Sequence, residues 1–523
     1  MTVNFNIGYA ATYGEEVVLL NVLINDGEDV KRAAIDMTTN DGTLWTCRLK
    51  GISSREKQHI DYFFSVSRAG RDDRREWTGI THRIDLNLAR GENISIHNIW
   101  HSVPSDAELY TTAYTKCLRQ RDKPVLARTT YSRTLRLIVR APNMRHGERL
   151  AVAGKGAALG DWDPSKALGM TEHNIGEWQV DMNAANVEGN MEFKFVAISE
   201  NGDAMWENGD NRHLDTDRMQ AGDVSVHELR QAMFDTHERK LTSMDMSFAH
   251  IDGNGKWNIG DFGDLNAAID HIADNGCADM IKIAPVNDTI STGTSADATP
   301  YSIISAYALH PIYADLRQLG DNGSQPADRY HSTMARRTST LPHEAYESTL
   351  KAKLDALHRT FCAKGDNVMH SAAFKRFFAA NETWLVPYAQ YCYLRDAYAI
   401  ADFRLWPNHN EWTEAERGQL QNPRTKAYKK LAFLYYVQYV LHVQLATAHE
   451  HARDCGIVLA GDLTANINPN GCDVWQEPDL VDTDEWWRQR LKAMNRYYDA
   501  CRVTENVKSR RGIAESTQML LVC

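Results

Sequence analysis

At 523 residues, with 43% hydrophobic and 24% charged residues, the chain has an ordinary globular composition that predicts two to four domains and excludes overall disorder. A net charge of −11 argues against the basic face of a nucleic-acid-binding chain. No run of 18 apolar residues is present, and the N-terminus has neither a basic start nor an apolar stretch, so no membrane span or secretory signal is predicted. The nine cysteines are scattered, odd in number and without a CxxC pair, which reads as free thiols of a reducing compartment and gives an expected cytoplasmic location.

Residues 1–100 alternate apolar and polar positions in short runs (EVVLLNVLI, LWTCRLKG, HIDYFFSVS) separated by Gly, Asn and Asp, the pattern of an all-β sandwich. Residues 101–131 read as a polar connector. From Arg133 a second β pattern covers 130–225, with TLRLIVRAP, RLAVAG, EWQVDM and MEFKFVAIS. The two regions overlay as a tandem repeat: Ile60 to Phe64 on Met191 to Phe195, Trp77 on Trp206, and His82-Arg83 on Asn211-Arg212. After a polar stretch from Leu214 to about Lys240, residues 245–523 change regime. FGDLNAAIDHIADNG predicts an amphipathic helix stopped by Gly276, and MIKIAPVND a short strand. Tyr428 to Cys455 predicts a long helix closed at Gly456, IVLAGD a buried strand, Trp486 to Tyr498 a helix and Ala500 to Val503 a strand. Alternating strands and helices with polar residues at strand ends predict a (β/α)8 TIM-type barrel. The region from Gln318 to Gly365, with RRTST at Arg336 to Thr340 and a Lys-rich helix, reads as a helical insertion.

The LGDWDP turn around Trp162 and the WENGDNR segment after Trp206 suit a sugar. Indole faces accept the apolar C–H patch of a glucose ring, while Lys194 and Asn211 offer hydrogen bonds to its hydroxyls. The alternative is that both tryptophans are sandwich core; their turn-rich settings favour loops. His442, His449 and His451 lie on one predicted helix at spacings of 7 and 2, which do not share a face as metal ligands should, so solvated or capping roles are expected and no metal. No Gly-rich phosphate loop follows a strand.

The segment VAGKGAALGDWDPSKALGM, EWQVDM, MEFKFV and MWENGDNR resembles the starch-binding module of amylolytic enzymes. The resemblance implies an immunoglobulin-like sandwich that binds α-glucan through Trp162, Lys194, Trp206 and Asn211. The first repeat resembles the same family more weakly, with Phe63 in place of Lys194 and His82 in place of Asn211, and reads as degenerate. The later stretches IGDFGDLNAAIDHIADNG, IAPVNDT, DATPYSIISAYALHPIY, FFAANETWLVPYAQYCYLRD and YYVQYVLHVQLATAHEHARDCGIVLAGDL resemble the 4-α-glucanotransferase family, in the form carrying two N-terminal starch-binding modules. This implies transfer of glucosyl units from maltose or maltodextrin to starch- or glycogen-like α-1,4-glucans, with no cofactor or metal, and with nucleic acid and membrane excluded as partners. The implied sugar subsites are Asp297, Tyr301, Asp462 and Arg502; Asp288 is expected to orient a loop, and Glu382 and Trp384 to be packing and loop residues.

A retaining glycosyl transfer needs two carboxyl groups roughly 5–5.5 Å apart, one of them the nucleophile. The aligned segment here reads CRVTENV: Thr504 stands at the family's nucleophile position and Glu505 at the following histidine, on the opposite side of a strand. The later acid/base motifs are not reached before Cys523, so an incomplete barrel with uncovered edges and no intact catalytic set is expected. The alternative function is a non-catalytic glycogen- or starch-binding protein.

Overall fold

The computed structural model describes residues 1–12, 16–26, 29–52, 59–77, 81–86, 93–104, 107–118, 131–144, 147–174, 176–187, 189–216, 221–235, 241–248, 259–319, 342–413, 418, 420–504 and 519–521. The chain divides into two compact units. One comprises Met1–Tyr110 and Arg121–Arg239; the other comprises Thr111–Gln120 and Lys240–Cys523.

In the first unit the N-terminal region supplies β1 (Thr2–Gly8), β2 (Glu16–Asp26), β3 (Asp29–Asp36), β4 (Thr38–Thr39), β5 (Leu44–Leu49), β6 (His59–Arg68), β7 (Arg71–Arg75), β8 (His82–Asp85) and β9 (Asn93–Ile99). Period-two patterning decides which side chains point inward. Val3, Phe5 and Ile7 of β1 face Val18 and Leu20 of β2 and Tyr62, Phe64 and Val66 of β6 across the core. The next region supplies β10 (Thr134–Arg140), β11 (Arg149–Gly154), β12 (Leu168–Gly169), β13 (Thr171–Asn174), β14 (Glu177–Asn183), β15 (Asn190–Ile198), β16 (Ala204–Trp206), β17 (Arg212–Asp215) and β18 (Val224–Leu229). Leu135, Leu137 and Val139 of β10 pack there against Val152, Phe193 and Phe195.

The two sandwiches are not separate beads. β18 pairs parallel with both β10 and β9, so one eight-stranded sheet, β13-β14-β10-β18-β9-β1-β5-β4, runs through both. The strand that joins them continues to Leu229, past the boundary expected at 225, in a stretch whose sequence reads only as polar. Its alternation is visible in hindsight, with Val224 and Val226 reaching the N-terminal core.

In the second unit β19 (Ser243–Met246), β20 (Met280–Ile283), β21 (Val458–Thr464) and β22 (Ala500–Thr504) form a parallel sheet in sequence order, and β23 (Met519–Leu521) adds antiparallel to β22. Among the described residues this is an open five-stranded sheet whose four parallel strands follow in sequence order. The edge expected to be bare at β22 is paired by β23, which satisfies its backbone groups. The helices are α1 (Phe262–Asn275), α2 (Pro342–His370), α3 (Ala372–Tyr398), α4 (Lys426–Asp454), α5 (Cys472–Gln476) and α6 (Asp484–Met494). Helix α1 starts at a capping box between Asp261 and Asp264 and stops at Gly276, whose φ of 58° is left-handed. Ile281, Ile283, Leu459, Leu463 and Cys501 turn one face of the sheet onto Leu265 and Ile269 of α1 and Leu441 and Leu445 of α4.

The region expected to be a helical insertion is helical where it is described, and it packs into the core. Leu357 of α2 joins the main core, and Lys353 is fully buried, donating to Asp261 Oδ2 (3.2 Å) and to the Ala314 carbonyl (2.8 Å). RRTST lies outside the described residues.

Candidate functional site

The turn that carries Trp162 is unusual in its backbone. Gly160, Asp161 and Trp162 all hold positive φ, 76°, 49° and 64°. A left-handed conformation costs a non-glycine residue about 1–2 kcal/mol, so the turn must be held by its surroundings. Asp161 Oδ1 accepts the Gly156 N–H (2.9 Å), and Asp163 Oδ1 accepts both the N–H (3.0 Å) and the hydroxyl (2.7 Å) of Ser165. At Gly160 an added Cβ would meet the Lys166 carbonyl carbon and oxygen at 2.8 Å, so glycine is required there. The turn leaves the Trp162 indole half-buried beside that of Trp206, with ring centroids 6.1 Å apart and planes inclined by 49°.

Trp206 ends β16 and leans on Ala151, Ala153, Val196 and Ile198, the outer face of β11 and β15. Lys194 sits two residues before Val196 and therefore on that same face; its Nζ donates to the Glu207 carbonyl (3.2 Å). Asn211 is exposed, and its amide donates to Glu192 Oε1 (2.7 Å) on the same face. The loop between Trp206 and Asn211 is anchored underneath. Buried Glu207 accepts the Phe195 N–H (2.8 Å) and pairs with Arg212 (2.7 Å), which in turn donates to the Arg230 carbonyl (2.8 Å). Two inclined indoles with an amine and an amide beside them thus share one rigid, solvent-facing surface.

The first sandwich does not repeat this set. Glu76 donates its N–H to the Phe64 carbonyl (3.1 Å) and accepts the Phe64 N–H (2.8 Å), as Glu207 does with Phe195. That register makes Arg75, opposite Ser65, the counterpart of Trp206, opposite Val196. It also sets His82, opposite Tyr62, against Arg212, opposite Phe193. The overlay of Trp77 on Trp206 is therefore two residues out of register and that of His82 on Asn211 one residue out, and a one-residue slip turns a side chain to the other face. Arg75 instead lies 4.0 Å over the Phe63 ring, a cation–π contact that fills the surface where the indoles stand in the second sandwich. Trp77 packs edge-on to Tyr110.

In the second unit a cavity of about 530 Å³ opens at the C-terminal ends of the parallel strands, the place where α/β sheets bind ligands. Asp245, Ser247, Lys282, Tyr301, Asp462 and Arg502 line it. Asp462 and Arg502 are direct neighbours across β21 and β22. The Arg502 fork grips the buried carboxylate through Nε to Oδ1 (2.6 Å) and a second N–H to Oδ2. Lys282 pairs with Asp245 (2.5 Å), and Tyr301 stands 40% exposed at the rim with its hydroxyl pushed above the usual range by burial and by the Asp462 charge. Tyr301, Asp462 and Arg502 are thus brought together. Asp297 is not with them: its Oδ2 is spent on the N–H groups of Thr292 (2.8 Å) and Gly293 (2.7 Å), closing the loop that precedes Tyr301. The backbone of Thr504 pairs with Thr464 at the end of β22, and Glu505 lies outside the described residues.

The sequence reading missed Asp245 and Lys282. The two pair directly across β19 and β20, and the single polar residue within the strand MIKI is the available signal for Lys282. Asp288 orients its loop, accepting the Ile290 N–H (3.0 Å) and the Tyr388 hydroxyl (2.6 Å), and burial pushes its carboxyl up to about 6.

Glu382 and Trp384 lie in the middle of α3 rather than on a loop, and Trp384 stacks on Tyr307. Two of the three histidines expected to be solvated or capping are buried. His442 sits among Phe377, Trp384 and Tyr497, burial lowering its imidazole to about 3, and His449 joins the Arg496 carbonyl to Asp499. Among the described residues two groups of side chains have the spacing of metal ligands, Glu76/His82/His101 and Asp270/His451/Cys455. The first is an internal charge network. His82 is held by Glu76 (3.0 Å) and by Glu228 (3.3 Å), while His101 bonds Glu228 (2.8 Å) and faces Arg140 (2.8 Å).

Comparison with known proteins agrees with this division. Residues 134–226 match the starch binding domain family, and residues 247–485 match the 4-alpha-glucanotransferase family. The 4-alpha-glucanotransferase DPE2 of Oryza sativa subsp. japonica is 27% identical over 76% of this chain and 44% of its own length. A 4-alpha-glucanotransferase of Chlamydia muridarum is 24% identical over 47% of this chain and 51% of its own. The solved amylomaltase of Streptococcus agalactiae in complex with acarbose covers 54% of this chain and 64% of its own, at 17% identity and a TM-score of 0.43. The chain spans about half the length of the curated relatives it matches. No helix among the described residues is long and apolar enough to cross a membrane.

Proposed function

We infer that this chain, which carries a starch binding domain ahead of a 4-alpha-glucanotransferase segment, is of the lineage that transfers glucosyl units between α-1,4-glucans and itself binds the glucan without completing the transfer. In this reading residues 130–225 capture the polysaccharide through Trp162, Lys194, Trp206 and Asn211, residues 1–100 are a degenerate copy with a scaffolding role, and residues 245–523 contribute the sugar cavity. Starch, glycogen, maltodextrin and maltose are the candidate glucans. The observation that carries the reading is the inclined pair of half-buried indoles with the amine and amide beside them. A helical glucan presents successive ring faces to such a surface, and each stacked aromatic contributes on the order of 1–3 kcal/mol by analogy with base stacking.

The cavity of Tyr301, Asp462 and Arg502 suits a hydroxylated neutral ring. The paired carboxylate and guanidinium present both acceptors and donors, and the exposed phenol offers an apolar face. It does not by itself supply a nucleophile. Asp462 is committed to Arg502, and position 504 carries a hydroxyl, which has no charge to stabilise an oxocarbenium-like centre. We therefore expect binding without transfer from this chain. The test has two arms on the purified chain: migration through a glycogen-containing native gel, and glucose release from maltose with glycogen as acceptor. Retarded migration with no glucose release is expected. Robust release would overturn the reading of Thr504, and unretarded migration would overturn the reading of the indole face.

A further inference from the structure

Away from both sites, two helices of the second unit bring together three side chains of different chemistry. His451 and Cys455 are four residues apart at the C-terminal end of α4, a spacing that puts them on one helix face, and Asp270 of α1 meets them from the neighbouring helix. Asp270 Oδ1 lies 2.7 Å from His451 Nε2, which lies 3.9 Å from Cys455 Sγ, and the three ligand atoms all fall within 4.8 Å of one another. We propose that Asp270, His451 and Cys455 form a binding site for one divalent cation of the zinc class.

The geometry is close to what such an ion needs. Tetrahedral zinc with the usual bond lengths to sulfur, nitrogen and oxygen sets the nitrogen–oxygen edge at about 3.4 Å and the sulfur–nitrogen edge at about 3.6 Å. Opening the first distance and closing the second takes side-chain shifts of a few tenths of an ångström to about 0.7 Å. The scaffold is firm, because α1 and α4 are locked together beneath the site by Ile269, Ile272, Leu445, Ala448 and Ala452. The mixed sulfur, nitrogen and oxygen set selects a borderline ion over calcium or magnesium, which prefer oxygen alone. On binding, the thiol passes its proton to solvent and the thiolate takes the metal. Three protein ligands leave a fourth position for water. The sequence reading set the α4 histidines only against one another and so missed that His451 finds a cysteine one turn on and a carboxylate 181 residues away.

The probe is Co²⁺, added to the full chain after chelator treatment and removal of the chelator. Expected is one equivalent bound per chain, with the near-ultraviolet absorption of a cobalt–thiolate bond, displaced by Zn²⁺. Cys455→Ser should remove the thiolate band, and His451→Ala and Asp270→Asn should each weaken Co²⁺ binding at least tenfold. The doubly substituted control at the exposed Cys277 and Cys362, each to Ser, should keep the band. Circular dichroism of each variant checks that the fold is retained; these side chains lie at the surface, so Ser, Ala and Asn are accommodated. Absence of a thiolate band at one equivalent, or a band that survives Cys455→Ser, overturns the proposal.

Discussion

Replacing Trp206 with alanine separates a working indole from a packing one. The ring does two jobs: it covers Ala151, Ala153, Val196 and Ile198, and it forms the notch with Trp162 at a centroid distance of 6.1 Å. The four covered side chains are small or already buried in the sheet, and Trp206 remains half-buried, so its loss from the fold is a partial truncation costing about 1–2 kcal/mol rather than the 3–5 kcal/mol of a fully buried tryptophan. The binding loss is a separate quantity. One stacked face removed is worth about 1–3 kcal/mol, or about 5- to 150-fold in Kd. The assay is affinity electrophoresis in glycogen, with Kd taken from mobility against glycogen concentration, alongside a thermal melt. Trp206→Phe keeps a π face and should recover most of the affinity. Trp162→Ala should lose a similar amount, and the double variant should lose less than the sum, because each ring's contribution depends on the other holding the strand. If Trp206→Ala lowers the melting temperature while leaving glycogen mobility unchanged, the indole is packing only and the surface is not the glucan site.

Gly160→Ala should cost about 1–2 kcal/mol of stability in calorimetry and weaken glycogen retention as well, since its Cβ cannot avoid the Lys166 backbone without moving Trp162. Arg502→Ala strands the buried Asp462 carboxylate and should destabilise the second unit by about 1–3 kcal/mol in a denaturant melt; adding Asp462→Asn should recover part of that loss, and no recovery would show that Arg502 acts through other contacts. His82 gives a pH signature. Burial opposes its charge, but Glu228 and Glu76 outweigh it and raise the imidazole from 6.5 to about 10. A raised folded-state value means the stabilisation is fully present below about pH 6.5 and is lost as pH rises through about 10, with an upper bound of about 5 kcal/mol for that span. The wild type should therefore lose stability between pH 7 and 10 more steeply than His82→Gln, measured by urea midpoint; parallel curves would refute the charged imidazole.

Local pattern carried much of this molecule into view. The alternation of EVVLL and RLAVAG against the 3.6-residue rhythm of α4 determined where strands and helices fall, and Asp261 and Gly276 bound α1 because capping chemistry acts over three or four residues. The turn around Trp162 and the strands that carry Lys194 and Trp206 were legible for the same reason, whereas the glucan-binding role given to these side chains and to Asn211 came from the resemblance to a starch-binding module and stands as a proposal. Other features depend on contacts that no local window contains. The parallel pairing of β18 with β9, the register that puts Arg75 rather than Trp77 opposite Ser65, and the meeting of Asp270 with His451 are all decided by long-range packing. So are the fates of Asp297, which turns its carboxylate into its own loop, and of His442, drawn into an aromatic core. A side chain's type states which bonds it is able to make; only the tertiary structure, by fixing which groups arrive beside it and how much water remains, decides which of them it does make.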